Sequence, residues 1–302
     1  MYDKSKVKSQ KSATASVLRR SRLLTFDFQL FLNKIFIPPI GKFSLLCCPN
    51  FLKLYAIMQP IQLVVFDMAG TTVTDHHEVE RCFATAAAET GLVVSAGRIL
   101  AMQGLAKRWV FKTLWKEQLG ETHPDVPIQV EVSYRAFTRI LENHYLTNGA
   151  TTTEGCDALF AYLHEKNIAI ALTTGFYRVV ADIILDKLGW LGGLNETRVG
   201  TPDSMIQVSV TSDEVERGRP FPYMIERTMA LLNITDPRTV INIGDTPSDL
   251  LSGRSAGVLL NVGVTNGTHT HDQLSDYPHD MLIDSLAGLI PIIERQFVLQ
   301  TA

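Results

Sequence analysis

Leu63-Val64-Val65-Phe66-Asp67-Met68-Ala69-Gly70-Thr71-Thr72-Val73 decides how this chain folds. The stretch starts as a short apolar run, reaches a carboxylate, then turns to small and hydroxyl residues. A run of this length closed by Gly reads as a buried strand whose C-terminal end opens into a loop. In open α/β sheets ligands sit at that end. Taken alone, Asp67 could equally be a strand-end carboxylate that caps the following turn. The remaining motifs decide between the two.

Working outward, Glu78 to about Thr147 shows helical patterns and no clear strand: an Ala-rich stretch from Val79 to Ala88, then Trp109 to Trp115, then Val130 to Tyr145. This segment is expected to be a helical insertion. Alternation resumes with a helix over Cys156–Lys166 and a strand Ile168–Leu172 ending in Thr173-Thr174-Gly175. A helix (Val179–Leu188), a strand (Met205–Val210) and the loop Gly218-Arg219-Pro220 come next. A helix over Tyr223–Leu232 and a strand Thr239–Ile243 lead to Gly244-Asp245-Thr246-Pro247-Ser248-Asp249. The pattern ends with a helix Leu250–Ala256, which leaves Asp249 in the loop before it, a strand Val258–Val264 and a helix from Asp284 to Arg295. Strands alternating with helices imply a parallel, doubly wound α/β sheet.

The 302 residues are 46% hydrophobic and 20% charged, ordinary for a globular protein with a sizeable core. The net charge of −3 hides an asymmetry, since residues 1–57 carry ten Lys/Arg against Asp3 and Asp27. The remainder has 18 basic and 29 acidic residues, a balance of −11 that argues against nucleic acid as a partner. Cys47, Cys48, Cys82 and Cys156 show no framework or C-x-x-C spacing, which suits a reducing compartment such as the cytoplasm. In residues 1–57, Asp27 and Lys34 interrupt the apolar stretch, so no membrane span is expected. The segment's Arg/Ser-rich start has the look of an organelle import signal. Met58-Gln59-Pro60 leading straight into the first strand favours a start at Met58, with 1–57 an upstream or disordered extension.

Three strand ends carry polar clusters: Asp67, Thr173/Thr174 and Asp245/Asp249. Two carboxylates from separate strands with a backbone carbonyl between them suit Mg²⁺, which prefers hard oxygen ligands and keeps waters for a phosphate-like group. Thr173 and the amides after it can cradle phosphoryl oxygens. Arg219 supplies a fixed positive charge, and an Asp can act as nucleophile.

This ordered set resembles the haloacid dehalogenase superfamily, over roughly residues 61–290. The resemblance implies a Rossmann-like core (58–77 and 149–302) with an α-helical cap (78–148). It also implies Asp67 as nucleophile, catalytic Arg219, Asp67, Ala69, Asp245 and Asp249 as the Mg²⁺ set, and Thr71, Thr173, Thr174, Gly175 and Arg219 around the phosphoryl group. Phosphatases of the superfamily place a second Asp two residues after the nucleophile, where this chain has Ala69. Asp-x-Ala-Gly-Thr-Thr is similar to the phosphonatase branch, which cleaves the C–P bond of phosphonoacetaldehyde.

A carbon leaving group gains nothing from a proton given to an ester oxygen; it needs an electron sink. Phosphonatases obtain one from an imine between a cap lysine and the aldehyde. In Met102-Gln103-Gly104-Leu105-Ala106-Lys107 the matching residue is Lys107, with Gly104 and Phe176 also expected to face the substrate. Two positions depart from the branch: Val110 stands where it has His, and Phe176 where it has Tyr. The expected substrate is therefore a small phosphonate, with a small phosphate monoester as the alternative and a non-catalytic phosphate-binding role a third. A homodimer is implied only by the resemblance. His76, His77, His269 and His271 read as surface-loop residues, Trp109 and Trp115 as packing residues of the cap, and Cys82 as buried and inert.

Overall fold

The computed structural model describes residues 60–301; the expectation for residues 1–57 lies outside them. Six parallel strands form one sheet in the order β3-β2-β1-β4-β5-β6. They are β1 (Leu63–Asp67), β2 (Ala169–Thr174), β3 (Val208–Thr211), β4 (Val240–Gly244), β5 (Leu260–Val264) and β6 (Met281–Ile283). All pairings are parallel, with Asp67 level with Thr173.

Every β1 residue is buried because the sheet is covered on both sides. Leu63 and Val65 face one side, with Val208, Val210, Met224 and Ile225. Val64 and Phe66 face the other, where Phe66 packs on Phe160 at a ring separation of 5.3 Å. Helices Cys156–Glu165, Arg178–Lys187, Tyr223–Leu231 and Pro247–Ala256 supply the flanking layers. β1 lies between β2 and β4, so the order reverses there and the crevice opens at the ends carrying Asp67, Thr174 and Gly244.

Between β1 and Cys156 the chain forms four helices: α1 (Glu78–Glu89), α2 (Ala96–Leu100), α3 (Lys107–Leu119) and α4 (Val126–Asn148). Pro127 sits in the first turn of α4, where its missing N–H costs nothing, so it starts that helix. Phe83 stacks on Phe111 at 4.3 Å, and Phe137 meets both edge-on at 5.9 and 6.1 Å, which ties α1, α3 and α4 together. The two connections to the sheet run side by side: Thr74 N donates to Thr151 O at 2.9 Å, and its hydroxyl to Thr152 O at 2.9 Å.

Three local expectations are corrected. The Pro247–Ala256 helix begins three residues after β4, so Asp249 lies in its first turn and not in a loop. The third strand is shorter than expected, Val208–Thr211. The last expected helix starts at Ile290, after the edge strand β6 and a 3₁₀ turn, Leu286–Leu289.

Candidate active site

Asp67 ends β1 and is 5% exposed. Arg219, on the loop after β3, reaches across to it: Nη1 donates to Asp67 Oδ1 at 2.6 Å, and Nη2 donates to the Thr173 hydroxyl at 2.7 Å and carbonyl at 3.0 Å. Its Nε lies 2.7 Å from Asp249 Oδ1. One buried guanidinium thus joins the ends of β1 and β2 to the start of the Pro247–Ala256 helix. Its fork matches carboxylate geometry in a way a lysine could not.

Asp245 and Asp249 are held by short local contacts. Asp245 Oδ2 accepts the Thr268 N–H at 2.7 Å, and Oδ1 accepts the Thr71 hydroxyl at 3.0 Å. Asp249 Oδ2 accepts the Thr246 N–H at 3.0 Å and hydroxyl at 2.6 Å, the reciprocal half of a helix capping box. The hydroxyl of Thr71, a residue expected around the phosphoryl group, is the one that donates to Asp245. Gly70 is required here: at φ +87° it sits in the left-handed region, and a Cβ on it would lie 2.2 Å from Asp245 Oδ2.

Carboxylate oxygens of Asp67, Asp245 and Asp249 lie within 4.8 Å of one another, all buried. Burial pushes the Asp67 carboxyl well above its ordinary range; the Arg219 guanidinium opposes this, and the Asp249 and Asp245 charges add to it. Burial and the neighbouring Asp249 raise Asp245 to about 6, against the Thr268 and Thr71 hydrogen bonds. Three carboxylates against one guanidinium leave two negative charges in surplus in a dry place. A divalent cation with oxygen ligands matches that surplus, so these residues can hold a metal ion.

The insertion meets this site through the loop before α3. Gly104 at φ +74° lies so close to the Thr246 loop that a Cβ would fall 2.3 Å from Ser248 Oγ and 2.5 Å from Thr246 Oγ1. Lys107 opens α3 and is 8% exposed, its Nζ donating to Gln103 Oε1 at 3.2 Å. A cavity of about 30 Å³ is lined by Asp67, Ala69, Asp75, Gly104, Lys107 and Thr174, with Gly175 and Phe176 also on its wall. Lysine and nucleophile candidates, 40 positions apart in sequence, therefore face one small space. Burial lowers the Lys107 ammonium to about 8, against the pull of the Asp75 and Asp67 charges.

Thr174 points its oxygen at its own loop, accepting the Phe176 N–H at 3.1 Å. A second cleft, about 900 Å³, adjoins the first and shares Gln103, Lys107, Gly175 and Phe176 with it. Trp109, 54% exposed, lines that cleft, whereas Trp115 is buried in packing as expected. Cys82 is buried, and burial lifts its thiol to about 11. His269 departs from its surface reading. It is 6% exposed, its Nδ1 has no partner among the described residues, and burial lowers its pKa against the nearby Asp249 charge. Asp75 was not singled out from the sequence either. No helix among the described residues is long and apolar enough to cross a membrane.

Residues 61–257 match the family described as haloacid dehalogenase-like hydrolase. The chain is 32% identical to the phosphonoacetaldehyde hydrolase of Latilactobacillus sakei over 215 residues, 67% of this chain and 75% of that protein. It is 29% identical to that of Bacillus cereus strain G9842 over 255 residues, 79% of this chain and 88% of that one. Among solved structures, a phosphonoacetaldehyde hydrolase-like protein from Oleispira antarctica superposes with TM-score 0.65 at 18% identity, covering 81% of this chain and 96% of that one. A β-phosphoglucomutase from Clostridium difficile gives 0.61 at 15%, covering 79% and 97%. These two likenesses establish the fold.

Proposed function

The chain belongs to the haloacid dehalogenase-like hydrolases and is phosphonatase-like among them, and from that premise we propose that it hydrolyses the C–P bond of phosphonoacetaldehyde or a related small phosphonate bearing a carbonyl. The observation that carries this reading is the shared cavity of Asp67 and Lys107, with Ala69 on its wall where an acid for an ester oxygen would stand.

The chemistry follows from the residues. A lysine whose pKa has fallen to about 8 is partly neutral near pH 7 and can attack a carbonyl carbon. The imine that forms, once protonated, is an electron sink beside the C–P bond. Asp67 attacks phosphorus, the C–P electron pair moves into the iminium, and an enamine remains on Lys107 while the phosphoryl group is carried as an aspartyl-phosphate. Arg219 holds Asp67 by one nitrogen and so fixes the attacking oxygen, at little orientational cost when phosphorus arrives. Water then cleaves the aspartyl-phosphate, and a proton added to the enamine carbon followed by imine hydrolysis releases acetaldehyde. Asp67, Asp245 and Asp249 would hold Mg²⁺, with the Ala69 carbonyl as a further ligand; when bound it neutralises charge building on the phosphoryl oxygens.

The test is product analysis with Mg²⁺ present. Phosphonoacetaldehyde should give acetaldehyde and phosphate in equal amounts. Turnover of phosphate monoesters with none of the phosphonate would replace this reading by a phosphatase.

A further inference from the structure

Asp75 lies on the connection from β1 into α1 and lines the same 30 Å³ cavity as Lys107 and Asp67. Its Oδ1 accepts the backbone N–H of Glu78 at 2.7 Å and, more weakly, that of Val79 at 3.4 Å. Helix capping would account for those two contacts. It does not account for two polar groups within electrostatic reach of Asp75, Glu78 and Tyr145. The Glu78 carboxyl lies beside that of Asp75, and its charge disfavours ionisation of Asp75. Glu78 Oε2 and the Tyr145 hydroxyl, the latter 3% exposed, are buried without hydrogen-bond partners among the described residues. Unpartnered polar atoms at such depth are rare in folded proteins and point to a polar species that completes them. Burial, then the Glu78 carboxyl, raises Asp75 to about 7, so it holds and releases a proton at the pH where the lysine works.

The lysine chemistry needs such a group. A carbinolamine on Lys107 loses its hydroxyl only as water, which requires an acid, and Val110 in α3 offers none. We infer that Asp75 is the proton-transfer residue of the lysine chemistry. Asp75–COOH protonates the hydroxyl leaving the carbinolamine carbon; the C–O bond breaks, water departs, and the nitrogen lone pair closes the iminium. After the C–P bond has been cleaved, water adds to the product iminium and gives its proton to the Asp75 carboxylate, which restores the starting state. The inference rests on the reading of Lys107 as imine former.

Borohydride trapping with acetaldehyde alone separates the two ideas, because it reports imine formation without phosphoryl transfer. Asp75→Asn keeps an oxygen for the helix amides but cannot give a proton. It should trap at Lys107 at least ~100-fold more slowly than the parent protein, with a melting temperature within a few degrees of it. Asp75→Glu should recover part of the rate. Equal trapping rates in the parent protein and a folded Asp75→Asn would overturn this inference while leaving the proposed function standing. If Asp75→Asn does not fold, equal slowing in Asp75→Glu and in Asp75→Ser, which retains only the capping role, would overturn it. Absence of trapping at Lys107 in the parent protein would bring down the proposed function, and this inference with it.

Discussion

Lys107→Met should make the protein more stable while removing its activity. The ammonium is held at about 8 by burial, against an ordinary value of 10.5. Below about pH 8 the folded state therefore carries a charge it would rather not bury. That cost is complete at pH 7 and fades as pH rises from about 8 toward 10.5, because the folded lysine has lost its proton while the unfolded one still holds it. At 1.36 kcal/mol for each tenfold change in the ratio, the cost at pH 7 is about 3 kcal/mol, falling to about 1 kcal/mol near pH 10. Methionine has nearly the same length and no charge. It leaves Gln103 Oε1 without its 3.2 Å partner, a loss of about 1 kcal/mol. The net expectation is a gain of about 2 kcal/mol at pH 7 and none near pH 10. Urea unfolding of both proteins at the two pH values measures it, with Lys112→Met as an exposed control that should change little. Destabilisation at pH 7, or a difference that does not move with pH, would refute the claim that the site holds its lysine at a cost.

The other expectations concern the site and its supports. Imine trapping at Lys107 by aldehyde and borohydride should peak between about pH 7 and 8, where the amine is losing its proton while Asp75 still holds one, and fall on either side; a flat profile from pH 6 to 9 would count against it. Mg²⁺ should raise the melting temperature of the parent protein, and Asp245→Asn, which halves the charge surplus, should lose most of that rise in differential scanning calorimetry. Gly104→Ala forces a left-handed residue and a Cβ into the Ser248 and Thr246 hydroxyls; it should cost about 1–3 kcal/mol in urea unfolding and reduce turnover, since the lysine loop is displaced. Phe137→Ala empties the fully buried junction of α1, α3 and α4 and should cost about 3–5 kcal/mol by the same assay.

What could be read from the chain before its fold is explained by where each signal resides. Asp67, Thr173 and Asp245 were legible because each closes an apolar run, and a parallel sheet brings the C-terminal ends of such runs to one edge. Arg219 was legible only through the ordered motif, for nothing local tells a buried guanidinium from a surface one. Lys107 was singled out by resemblance, but its place on the same cavity as Asp67 depends on how α3 is seated, which Gly104 decides. His269 was misread because Thr268-His269-Thr270-His271 is polar in composition, while its burial comes from packing near the Asp245 loop. Asp75 escaped notice for a similar reason: in sequence it is a capping acid before an Ala-rich helix, and only the fold puts it beside a lysine 32 positions on. β6 is three half-buried residues at the sheet edge, too short to show a period.

The central claim is that Lys107 and Asp67 act on one substrate, the first on its carbonyl carbon and the second on its phosphorus. Peptide mapping of protein treated with phosphonoacetaldehyde, Mg²⁺ and borohydride tests it most directly. The account predicts irreversible inactivation, a reduced two-carbon adduct on Lys107 and nowhere else, and no adduct bearing the dephosphorylated product in Asp67→Asn. Acetaldehyde release that proceeds undiminished under borohydride, or an adduct on another lysine, would contradict it.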